Sequence, residues 1–123
     1  MGSGSEEQTW RPLTPSITGD EAERVVAAAG AVIIHVWAEW NLYDRSMDEI
    51  IQIFRADFEN EIRFYSLDSG PESNWAFCVK HKVLNIPALI CSVNGRHTET
   101  IIGLRSEEEW RSIIQRMIKS EIE

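Results

Sequence analysis

At 123 residues, with 43% hydrophobic and 26% charged positions, the chain has the composition of one folded domain and not of a disordered segment. Its formal net charge of −8 argues against nucleic acid and against anionic membrane surfaces, both of which are held by Lys and Arg. No apolar run approaches the roughly 20 residues that span a bilayer, and no charged-then-apolar leader opens the chain, so a cytoplasmic protein is expected.

Taken in chain order, Met1-Gly2-Ser3-Gly4-Ser5 reads as a loose tail, and residues 1–15 as a tail with a short edge strand at Trp10-Arg11-Pro12-Leu13, where a proline is tolerated. Residues 16–123 form the expected domain. Thr18-Gly19-Asp20-Glu21 fits a capping box and predicts a helix running to about Gly30. Ala31 to Ala38 is apolar except for His35, the pattern of a central strand covered on both faces. A second helix is predicted from about Leu42 to Phe58, with Ile50, Ile51, Phe54 and Phe58 at helical spacing.

Ile62 to Leu67 alternates and ends at the turn cluster Asp68-Ser69-Gly70-Pro71, so it reads as a strand. A short helix over Glu72 to His81 follows. Ala88 to Val93 and His97 to Ile102 flank Asn94-Gly95-Arg96, a hairpin signal because Asn-Gly tolerates positive φ. Ser106-Glu107-Glu108-Glu109 caps a last helix with an apolar stripe of Trp110, Ile113, Ile114, Met117 and Ile118. The order predicts an α/β fold: parallel strands joined by helical crossovers, then an antiparallel pair.

Three segments, in order and at suitable spacing, resemble the thioredoxin superfamily over roughly residues 16 to 120. They are Trp37-Ala38-Glu39-Trp40 after the central strand, Ile86-Pro87-Ala88 before the hairpin, and Ile101-Ile102-Gly103-Leu104 at the last strand. The resemblance implies a thioredoxin fold: a mixed sheet of four to five strands flanked by about four helices in three layers. It also implies a cis-proline at Pro87. The departures are as informative. Asn41 and Asp44 occupy the two cysteine positions of Cys-X-X-Cys, and His35 replaces the buried aspartate two residues before the first tryptophan. The lysine that accompanies this aspartate aligns with Phe64, and the segment from Asp68 to Pro87 is a few residues longer than usual.

What stands in place of the cysteines is helix-start chemistry. Asn41 is a strong N-cap residue and Asp44 would put a carboxylate in the first turn, where the helix dipole favours it. His35 reads as a hydrogen-bonded core histidine; an acid/base pair with Asp44 requires hydrogen-bond reach. The expected activity is therefore binding without redox turnover. The resemblance implies a groove lined by Trp37, Trp40, Leu42, Tyr43, Ile86, Pro87, Gly103 and Leu104. In it, Ile86 would offer backbone hydrogen bonds to an extended peptide or protein segment. No catalytic residue, cofactor or metal is expected, and the assembly state is a monomer or weak homodimer.

Two alternatives stand beside this reading. One is an atypical thiol-disulphide oxidoreductase using Cys78, which is expected to be partly exposed; Cys91 lies mid-strand and reads as a core residue. The other is a structural subunit of a larger assembly. Cys78 and His81, three apart, supply at most two metal ligands where a structural zinc site wants four.

Overall fold

The computed structural model describes residues 10–122; the tail proposed for residues 1–5 lies outside them. The elements are α1 (Gly19–Ala27), β1 (Ala31–Trp37), α2 (Tyr43–Phe58), β2 (Ile62–Asp68), a 3-10 turn (Glu72–Asn74) running into α3 (Trp75–Lys80), β3 (Ala88–Val93), β4 (Arg96–Ile102) and α4 (Glu107–Ile122). The strand order is β2-β1-β3-β4, with β1 and β2 parallel and β3 antiparallel to both of its neighbours. This is the thioredoxin-like α/β arrangement that the order of elements predicted. Helix α1 ends three residues before Gly30, which takes φ 93° in the turn into β1.

All seven residues of β1 are buried, because helices cover both of its faces. Ala31 and Ile33 pack into one core with Met47, Ile51 and Phe54 of α2 and Trp110, Ile114 and Met117 of α4. Val32, Ile34 and Val36 point the other way, toward Ala22 and Val26 of α1 and Phe77 of α3. The alternation is that of any strand, with each side chain facing opposite to the last. Both capping boxes form: Thr18 with Glu21 and Ser106 with Glu109 exchange reciprocal side-chain and backbone bonds. These bonds hold both carboxyls below the usual glutamate range.

The edge strand expected at Trp10–Leu13 does not form. Pro12 has no N–H, and the Leu13 N–H and Thr14 hydroxyl go to the Asp48 carboxylate of α2, at 3.3 and 3.4 Å. The segment is a strap, joined to β2 through one parallel bridge between Ser16 and Ser66. At its start Trp10 packs edge-on against Trp37, with ring centroids 5.5 Å apart, and the Arg45 guanidinium lies over the Trp10 ring. No helix among the described residues is long and apolar enough to cross a membrane.

The β3–β4 hairpin turns as the Asn-Gly signal requires, with Asn94 at φ 51° and Gly95 at φ 81°. A Cβ on Gly95 would sit 3.0 Å from the Ala27 carbonyl oxygen, so the turn is also pressed against the end of α1. Gly95→Ala is expected to lower unfolding free energy by about 1–2 kcal/mol, the cost of a left-handed non-glycine residue. Chemical denaturation measures this; an unchanged midpoint would show that the turn relaxes freely.

Candidate functional site

The C-terminal end of β1 delivers the chain into the loop Ala38–Leu42 and then into α2. The first consequence is a buried polar pair. His35, fully buried at the centre of β1, places Nε2 2.7 Å from Oδ1 of Asp44, also fully buried in the first turn of α2. The other carboxylate oxygen accepts the Ala38 N–H at 3.1 Å. Among the described residues, His35 Nδ1 has no hydrogen-bond partner. Asp44 does lie in the first turn of α2, as expected from its position, and there it is buried and joins the strand, the loop and the helix.

Asn41 makes the second connection. Helix α2 begins at Tyr43, with Leu42 in the cap position making no side-chain cap. Asn41, the expected N-cap, sits one residue ahead of the observed cap, and its Oδ1 accepts the Tyr43 N–H at 2.9 Å in an Asx turn. Its Nδ2 donates to the Ile86 carbonyl at 3.1 Å, tying the loop to the segment before Pro87. The Ile86–Pro87 peptide bond is cis. The Ile86 N–H donates to the Asn85 side chain at 2.9 Å. Both backbone groups of Ile86 are therefore engaged within the chain, which corrects the expectation that they stand ready for an extended segment.

The groove residues separate into two sets. Trp40, Leu42 and Tyr43 are strongly exposed, at 75%, 68% and 66%, and with Asn41 they line a shallow cavity of about 390 Å³. Trp37, in contrast, is 4% exposed and Pro87 is buried, and neither lines this cavity. Trp37 is the last inward residue of β1 and is covered by Trp10. Gly103 donates its N–H to the Pro87 carbonyl at 2.8 Å, and neither it nor Leu104 lines a concavity at Trp40.

A second cavity, of about 310 Å³, shares Trp40 with the first and extends across Trp75 and Val79 of α3 to Leu84 and Ile86. The α3 part was not anticipated. Its signal was present in Trp75-Ala76-Phe77-Cys78-Val79, five apolar residues in a six-residue helix. A helix can turn only part of its circumference to a sheet, so such a run must expose some of them.

Cys78 lines this second cavity but is buried, contrary to the partial exposure expected, and burial pushes its thiol up. Cys91 is fully buried in β3, and burial, with Glu99 nearby, pushes its thiol up to about 12. Both cysteines are free. A raised thiol leaves little thiolate, the form that attacks disulphides. Among the described residues no cluster of three or more His, Cys, Asp or Glu side chains is placed to hold a metal ion.

A family model for thioredoxin matches residues 14–116. The chain belongs to the thioredoxin family. Among curated proteins it is similar to thioredoxin M2 of Arabidopsis thaliana chloroplasts, with 28% identity over 79 residues, 64% of this chain and 41% of that protein. The chain thus spans less than half the length of that relative. It is also similar to thioredoxin of Staphylococcus aureus, with 22% identity over 88 residues, 72% of this chain and 83% of the other. Among solved structures, one from work on the thiol resolving mechanism of yeast mitochondrial 1-Cys peroxiredoxin via glutathione/thioredoxin systems superposes with a TM-score of 0.73. It has 15% identity and covers 85% of this chain and 95% of that one; this likeness shows the fold. Against the thioredoxin pattern, the two Cys-X-X-Cys positions here carry an amide and a carboxylate, each bonded into the scaffold.

Asn41 holds two backbone groups from two segments. Asn41→Ala is expected to lower unfolding free energy by about 1–3 kcal/mol and to raise amide hydrogen exchange at Tyr43. Asn41→Asp keeps the acceptor for Tyr43, loses the donor to Ile86, and should fall between the two. Equal stability in all three proteins would show that the loop is not held through this side chain.

Proposed function

We propose that this thioredoxin-family chain is a redox-inactive, non-enzymatic module that binds a protein or peptide partner through the surface around Trp40 and the segment before Pro87. One observation carries the reading: the residues at the two cysteine positions are engaged in structural hydrogen bonds, while Trp40, Leu42 and Tyr43 beside them remain open. Exposed aromatic side chains are typical anchors of protein interfaces. The partner takes no part in thiol chemistry in this reading, and no cofactor is required. A cytoplasmic setting, where free thiols persist, accords with two unpaired cysteines.

The competing enzyme reading rests on Cys78, which borders the same surface. Its burial and raised thiol favour the binding module over it. Insulin-disulphide reduction by the wild-type chain is expected to stay at background and to be the same in Cys78→Ser. Turnover that disappears in Cys78→Ser would overturn the proposal. On the binding side, affinity capture from source-cell lysate should retain proteins with wild type that are lost with folded Trp40→Ala/Ile86→Asp. Identical capture by both would place the interface elsewhere.

A further inference from the structure

The surface around Trp40 does not stop at the proline segment. Trp40 is shared between two cavities, and the second continues over α3, where Trp75 is 53%, Val79 77% and nearby Leu84 88% exposed. The aromatic part alone, Trp40, Tyr43 and Trp75, leaves roughly 400 Å² open if each ring can bury about 150–250 Å². With the aliphatic residues added, the patch exceeds the largest apolar patch of a typical monomer, about 300–600 Å². It is of the order of one partner's share of a standard interface, about 800 Å².

Two observations select the occupant. First, the Ile86 N–H is already bonded to the Asn85 side chain and its carbonyl already accepts from Asn41, so strand addition would have to displace the one and share the other, which favours docking by side chains. An amphipathic helix docks in this way in an apolar groove. Second, the local charge is acidic. Glu39 precedes Trp40 and Glu72 lies one turn before Trp75, both exposed. Lys80, the cation on α3, is paired with Glu23 at 3.1 Å; exposed Lys82 lies beyond the helix end, and exposed Arg45 in the first turn of α2 is turned over the Trp10 ring. A second copy would bring another net charge of −8 against the first.

We infer that the Trp40–Trp75–Val79–Leu84 surface is a docking groove for an amphipathic helix of a partner protein, apolar on one face and flanked by Lys or Arg. This rests on the binding-module reading, and it enlarges the site to include α3. Lys or Arg flanks would meet Glu39 and Glu72, and their cations could lie over the open indole faces of Trp40 and Trp75.

The test titrates the full chain with three labelled peptides: an amphipathic Leu/Phe helix with Lys flanks, the same helix with Glu flanks, and the Lys version broken by two central prolines. Binding is read by fluorescence anisotropy. The Lys-flanked helix should bind at least about tenfold tighter than either control, with its advantage over the Glu version shrinking as salt shortens the screening length. Trp75→Ala/Val79→Ser, both at exposed positions and checked for folding, should weaken it at least about tenfold. Equal affinity for Lys and Glu flanks, equal affinity for the proline-broken peptide, or no effect of the α3 variant would overturn this inference. In each of those cases binding lost in Trp40→Ala/Ile86→Asp would leave the binding module intact. No binding of any peptide by wild type would overturn the helix groove, and unchanged lysate capture by both proteins would separately overturn the module. Sedimentation as a dimer that Trp75→Ala/Val79→Ser dissolves would assign the groove to a second copy and contradict the inference.

Discussion

A single imidazole in the middle of a strand with no exposed residue sets the terms for this site. β1 is covered on both faces, so His35 cannot reach water and must find its partner inside the fold. The partner is Asp44, in the first turn of the helix that the strand leads to. Because its second oxygen takes the Ala38 N–H, the carboxylate fixes the loop between them as well. Strand, loop and helix are held at one point, and the position and exposure of Trp40, Leu42 and Tyr43 follow from that geometry.

The same connection explains how the chain can keep a thioredoxin scaffold while carrying different chemistry at its centre. The two family positions that would hold cysteines are here filled by side chains with structural duties: Asp44 toward β1 and Asn41 toward Ile86 and Tyr43. Asn41 also donates to the Ile86 carbonyl, so one amide both braces the loop and uses a backbone acceptor next to the cis-proline. What remains open to a partner is side-chain surface, largely aromatic, on the loop and on α3. The strap from Trp10 completes the picture on the opposite side, where it covers Trp37 and leans on Asp48.

The fold was legible because its signals are local and redundant. The continuous apolar run of β1, the two capping boxes and the Asn-Gly turn each specify an element without knowledge of its neighbours. The site was legible only in part. Sequence gives Asn41 and Asp44 as good helix-start residues, but which atoms they bond depends on where β1 and the proline segment come to rest. Trp37 and Pro87 read as groove residues from family position, yet Trp10 of the strap packs on the one and the other is buried. Trp75 and Val79 are not legible as surface residues because periodicity in a six-residue helix is too short to say which side faces the sheet, and Leu84 lies in a segment with no periodicity at all.

The central claim is that His35 and Asp44 hold one another, and a double-mutant cycle tests it most directly. Unfolding free energies of wild type, His35→Ala, Asp44→Ala and the double variant give the coupling between the two side chains. A favourable coupling of about 0.5–3 kcal/mol is expected, the range for residues bonded within one network. Additive effects, with coupling near zero, would contradict it and leave the site organised by something other than this pair.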